Sequence, residues 1–177
     1  MTIATNKAAD LRNKPLNQLL FPDLDQEFAV TRKLLERVPM EQADFKPHPK
    51  SFTLQALANH VAGFPDWGLQ TIQQDVLDFA EEGEPSKPLT TREALLEHFD
   101  RKAQEFKAAL SQLSDEALQT IWTMKSGDQI YVQGPRGEIL RNGILSHLVH
   151  HRAQLGVYLR LLDVPVPSSY GPTADEF

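Results

Sequence analysis

The chain has 177 residues, 41% hydrophobic and 24% charged, with a formal net charge of -6, six histidines and no cysteine. A chain of this length forms one domain around one core, and the missing cysteines exclude disulfides, thiolate metal sites, cysteine nucleophiles and redox pairs. With 18 Lys and Arg against 24 Asp and Glu, nucleic acid is not an expected partner, because binding a phosphate backbone needs a surplus of cations.

Met1 to Asn13 is polar and lacks the apolar core and small-residue cleavage site of a signal peptide. No stretch approaches the roughly 18 uninterrupted apolar residues of a membrane span. The expectation is a soluble, cytoplasmic protein with a single domain over residues 1–177, acting away from membranes. Proline and glycine collect at Val38 to Pro49, Gly83 to Pro88, Gly134 to Gly143 and Val164 to Pro172, and helix-length segments lie between them.

The first predicted helix runs from Leu16 to Glu36, with Leu20, Leu24, Phe28, Leu34, Leu35 and Val38 at helical spacing and the polar Glu27 and Thr31 inside that stripe. A second starts after Ser51 or Thr53, either of which can cap it, and continues to Phe79. Pro65 lies inside it, and the lost backbone hydrogen bond and steric clash, worth about 3 kcal/mol, predict a kink. The third, Thr91 to Leu113, buries Leu95, Leu96, Phe99, Ala103, Phe106, Leu110 and Leu113, with Thr90 or Thr91 as cap. Ile121 to Met124 and Gln129 to Gln133 can pair as a short hairpin across Ser126, Gly127 and Asp128. The last helix runs from Glu138 to Leu162, stopped by Pro165. Four amphipathic helices without a long strand predict an all-α, four-helix bundle whose connections allow crossovers.

The histidines are unevenly placed. On a wheel of roughly 100° per residue, Leu140, Ile144, His151, Leu155, Tyr158 and Leu162 share a direction, with His147 close beside them and His150 at the edge of the stripe. His147 and His151, four residues apart, offer two imidazoles from neighbouring turns of one face, as a metal site requires. On the second helix Thr53, Leu57, His60, Phe64, Trp67 and Thr71 share a direction, so His60 also faces inward. Inward imidazoles need partners. One divalent metal satisfies all three and leaves a position open for water or substrate, as in a catalytic site; hydrogen bonds to backbone carbonyls and waters are the alternative. With no thiolate to bind it, the ion could be Zn, Ni, Fe or Mn. His48, in a proline-flanked loop, and His98, at the margin of its helix's stripe, read as ordinary residues.

Leu57-Ala58-Asn59-His60-Val61 followed by Pro65 and Trp67, together with Ser146-His147-Leu148-Val149-His150-His151-Arg152-Ala153-Gln154-Leu155, resembles the DinB-like (DinB/YfiT-like) family. The resemblance covers nearly the whole chain, and the terminal Tyr170-Gly171-Pro172-Thr173-Ala174-Asp175-Glu176 looks like the ending of one subgroup. It implies a bundle of up-down-down-up topology, often a homodimer, with nickel or zinc ahead of iron or manganese on His60, His147 and His151. Family members of known activity include thiol transferases using bacillithiol or mycothiol and a mycothiol-dependent maleylpyruvate isomerase.

The resulting expectation is a divalent-metal-dependent enzyme on a small-molecule substrate. It either transfers a low-molecular-weight thiol, whose sulfur must arrive with a cosubstrate, or hydrolyses a small molecule. The alternative is a non-catalytic, stress-associated bundle that binds a metal or ligand. Gln154, near His147 on the wheel, is a candidate to bond a ligand imidazole or a metal-bound water, or else it closes a core edge. Glu27 and Thr31 are candidates to complete the pocket, Glu27 as proton acceptor, or else Glu27 reaches for solvent from the stripe's boundary. Trp67 and Tyr158 line a cavity or fill core. Arg152 points away from the histidines and reads as a surface or interface residue.

Overall fold

The computed structural model describes residues 14–81, 83 and 87–176. In chain order they form α1 (Leu16–Leu20), α2 (Leu24–Leu35), a 3-10 turn (Met40–Gln42), α3 (Leu54–Gln73), β1 (Val76–Asp78), α4 (Arg92–Ser111), α5 (Asp115–Gln119), β2 (Ile121–Ser126), β3 (Gln129–Pro135), the single turn α6 (Arg136–Glu138), a π-helical segment (Ile139–Ser146) and α7 (His147–Leu161). The chain is mostly helical with a small three-stranded sheet.

The expected first helix is two. Pro22 disfavours a helical conformation at the residue before it, and Phe21 adopts φ -130° and ψ 49°, which ends α1. Pro65, in contrast, is buried inside α3 with no break in the helix. The caps come from Thr53, whose Oγ1 accepts from Ala56 N at 3.0 Å, and Thr91, whose Oγ1 accepts from Ala94 N at 3.1 Å. Each satisfies one of the donors that the first helical turn leaves unpaired.

α3 packs most extensively on α4 and also on α7, while α2 lies against α4 and α7. Phe64, Phe99, Phe106, Leu35, Leu57, Leu95, Leu148 and Leu155 are fully buried between them. α3 approaches α4 so closely at Gly68 that a Cβ there would lie 2.7 Å from the Phe106 ring, so only glycine fits without repacking.

α3 ends at Gln73 rather than at Phe79, because Val76–Asp78 pairs in parallel with β2 instead of continuing the helix. The hairpin falls where expected, with Ser126 opposite Gln129 and Gly127 at φ 56° in the two-residue turn. Asp78 pins that turn through Gly127 N at 2.9 Å and Lys125 Nζ at 2.9 Å. The Gly127 N–H, then Lys125, hold its carboxyl below the usual carboxylate range. The buried Arg136 locks sheet to bundle: it donates to Thr71 O at 3.0 Å and to Ala117 O at 3.1 Å, and it pairs with Asp75. In so doing it satisfies a carbonyl at the end of α3.

Candidate metal centre

α3 supplies His60, and the first two turns of α7 supply His147 and His151. The ligand-capable nitrogens of all three lie within 4.8 Å of one another. Ring centroids are 4.5 Å apart for His60 and His151, 4.7 Å for His147 and His151, and 5.6 Å for His60 and His147. Phe64, one turn after His60, touches all three rings, with centroids at 4.8 Å from His60, 4.9 Å from His147 and 6.0 Å from His151. Trp67 adds an edge beside His60 and His147, and Phe52, which the wheels did not single out, flanks His60 and His151.

The hydrogen bonds around the cluster set its chemistry. His151 Nδ1 lies 2.8 Å from Gln154 Oε1, and the other end of the Gln154 amide, Nε2, lies 3.0 Å from His150 Nε2. Read as donor to acceptor at each step, this chain makes His151 an Nδ1–H tautomer with its Nε2 lone pair free. His147 Nδ1 faces the carbonyl of Gly143 at 3.3 Å, which makes it an Nδ1–H donor too. The two Nε2 atoms are then 2.9 Å apart with their lone pairs facing. That arrangement is repulsive alone and is satisfied by a cation. A direct hydrogen bond from His151 Nε2 to His147 Nε2 would instead take the proton from His151 Nδ1, so the Gln154 amide would have to turn over and present its NH2 there. A divalent ion therefore fits these residues, and the outer bonds orient the rings toward it.

Burial favours the neutral, ligating form. It pushes His60 down to about 4, with the neighbouring His151 and His147 adding to the shift. It also lowers His147, against the opposing Gly143 carbonyl, and His151, against the opposing Gln154 amide. All three imidazoles are available as lone-pair donors at neutral pH.

The other singled-out residues fall elsewhere. Glu27 and Thr31 are buried, but on the α2 side of α7, where Glu27 Oε2 lies 2.6 Å from Arg152 Nη1. Arg152, expected at the surface, is only 3% exposed. It also donates to Glu27 O at 3.0 Å and, through Nη2, to Tyr170 Oη at 2.9 Å. Tyr170 Oη sits 2.9 Å from both Glu27 oxygens, and desolvation of the hydroxyl together with that bond pushes its pKa up. Thr31 Oγ1 donates to Glu27 O at 2.7 Å. No hydrogen bond or ion pair among the described residues links this cluster to the histidines.

The histidines stand between two cavities. One of about 490 Å³, bounded by α3, the sheet and the π segment, has His147 in its wall; the other, of about 420 Å³, has His151, Gln154, Phe52, Tyr158 and Lys50 in its wall. Trp67 and Tyr158 line one cavity each. The sheet's share of the first was legible only as the alternation that puts Trp122 and Met124 on one face of β2.

A DinB family model matches residues 13–177. The chain belongs to the DinB family. Its architecture is that of solved DinB-like proteins. A crystal structure from Bacillus cereus superposes with a TM-score of 0.61 at 22% identity, covering 84% of this chain and 94% of that one. One from Bacillus subtilis gives 0.64 at 19% identity, covering 85% and 97%. At such identities the likeness of this DinB chain to either is one of fold. No curated protein matches it.

Proposed function

We propose that this DinB-family chain is a divalent-metal-dependent enzyme that transfers a low-molecular-weight thiol to a small electrophile, with hydrolysis of a small molecule as the second reading. The observation that carries it is the convergence of His60, His147 and His151, whose ligand-capable nitrogens lie within 4.8 Å of one another. A divalent ion held there, nickel or zinc ahead of iron or manganese, would supply a Lewis acid that lowers the pKa of a thiol or a water at its remaining position.

The chain's own residues do the rest. Phe64 and Trp67 exclude water from one side of the rings, which strengthens electrostatic interactions there. Gln154 is a positioning residue that fixes the His151 tautomer. Glu27, engaged by Arg152 and Tyr170, holds α2 to α7 and enters this reading as a structural counter-ion rather than as proton acceptor. Lys50, in the wall of the His151 cavity, offers a cation to an anionic cosubstrate, which favours the transferase over the hydrolase. The chain lacks cysteine, so the sulfur arrives with that cosubstrate. The proposed setting is a cytoplasmic homodimer of up-down-down-up bundles, acting on small molecules.

The test is elemental analysis after growth with each divalent metal, joined to a screen of thiol and electrophile pairs. One ion per chain is expected, falling to substoichiometric in His60→Ala and His151→Ala, with His147→Ala inactive. Gln154→Leu should weaken metal binding by about 10- to 100-fold while leaving the helical circular dichroism unchanged. Substoichiometric metal under every supplement sinks the proposal. Full metal with no turnover of any pair turns it toward a non-catalytic binding protein.

A further inference from the structure

The cavity of about 490 Å³ beside His147 has a chemistry of its own. Its wall is built by three separate parts of the fold: α3 gives Trp67, the sheet gives Leu77, Trp122 and Met124, and the π segment gives Ile144, with His147 at the histidine end. Its volume falls within the roughly 300–1,000 Å³ typical of small-molecule sites. Among the described residues Glu138 is its one charged side chain, and no lysine or arginine lines it. Along the α3 and sheet walls a carboxylate or phosphate would lose hydration and meet no lysine or arginine among the described residues, whereas an uncharged ring would replace water against indole and aliphatic surface. The cavity on the other side of the histidines differs in carrying Lys50.

We propose that the cleft between α3, the sheet and the π segment binds the uncharged, aromatic part of the substrate, with His147 marking the boundary with the metal centre. The word substrate rests on the enzymatic reading above. The cleft and its preference for uncharged rings do not, because its walls stand without a metal. The parallel pairing of β1 with β2 is what brings Leu77 alongside Met124, so the small sheet acts as one wall of a specificity pocket. The two open sides of the histidine cluster thereby separate two reactants by charge: a neutral ring on the sheet side and an anionic cosubstrate on the Lys50 side.

Both tryptophans of the chain, Trp67 and Trp122, line this cleft, so all of the indole emission reports on its occupancy. The test is titration of the full-length protein, metal-loaded and chelated, with the uncharged probe N-phenyl-1-naphthylamine, followed by competition with 1-naphthylmethanol and with 1-naphthoate. Saturable quenching of the tryptophans is expected, with the alcohol displacing the probe at least tenfold more effectively than the carboxylate. Met124→Lys should weaken the neutral probe at least tenfold and reverse the preference toward 1-naphthoate. Val132→Asp, an exposed β3 substitution in the same wall, should weaken the probe with little risk to folding. Val157→Lys, in the other cavity, should leave probe binding unchanged.

Equal binding of the alcohol and the carboxylate, or unchanged probe affinity in both wall variants, overturns the inference. Probe binding retained in metal-free His60→Ala supports the cleft whatever becomes of the metal reading. One bound metal per chain with no tryptophan response removes the cleft and leaves the metal reading intact. For a thiol–electrophile pair that does turn over, the wall variants should raise KM for the electrophile and leave that for the thiol unchanged. The opposite split also overturns the assignment.

Discussion

A histidine held neutral by its surroundings is a pH-dependent element of stability. His60 titrates at about 4 in the folded chain, below its ordinary 6.5, so between those values the unfolded chain takes up a proton that the folded chain refuses. The contribution of His60 to the stability of the metal-free protein should therefore be level above pH 6.5 and fall as the pH drops from 6.5 to 4, below which the depressed carboxylates such as Asp78 take over the loss. Urea titrations at pH 7, 5.5 and 4 check this, and His60→Gln should remove much of the slope. Glu27 makes a different prediction, because it and Arg152 are both almost fully buried. Glu27→Ala leaves a buried guanidinium without its counter-ion and should cost about 3–5 kcal/mol in denaturant titrations. The paired change Glu27→Leu with Arg152→Met should cost far less, since no charge is left stranded.

At the scale of elements, the close approach of α3 to α4 should make Gly68→Ala expensive. The added methyl forces the buried Phe106 ring to move, at about 1–3 kcal/mol by denaturant titration. The same scale shows how much of the molecule was legible in sequence. α4 follows its apolar stripe within a residue or two at each end, since nothing but periodicity and a threonine cap sets its limits. The grouping of the three histidines was also legible, because the four-residue spacing of His147 and His151 puts them on one face whatever the helix's absolute phase.

The last helix shows where such reading stops. A uniform wheel aligns Leu140 and Ile144 with His151, yet the buried line of α7 runs through Leu148, Arg152, Leu155 and Leu159. Residues 139–146 are π-helical and turn by roughly 80° each rather than roughly 100°. Carried back through that segment, Leu140 and Ile144 fall in with Leu148 and Arg152. The phase error is why Arg152 was placed outside, and it moves the histidines from the centre of the buried face to its edge, beside the cavities. β1 was hidden for another reason: three residues pair in parallel with a strand far along the chain, and no local pattern records that partner.

For the molecule as a whole, no helix among the described residues is long and apolar enough to cross a membrane. The carboxyl-terminal segment folds back on the bundle. Glu176 meets Arg37 and accepts from Ser168 N at 3.0 Å, Asp175 meets Arg160, and Tyr170 closes over the Arg152–Glu27 pair.

The three clustered histidines come from α3 and α7, which lie far apart in the chain. An ion held between them would act as a reversible cross-link, closing a long loop in a chain that has no disulfide to do so. Adding zinc or nickel should slow amide hydrogen exchange in α3 and α7 together in the native chain and do nothing in His60→Ala. Unchanged exchange in both helices would show that the ion does not bridge them. Slowed exchange in both would mean that metal availability sets how often α3 and α7 part, and with them the lifetime of the closed fold.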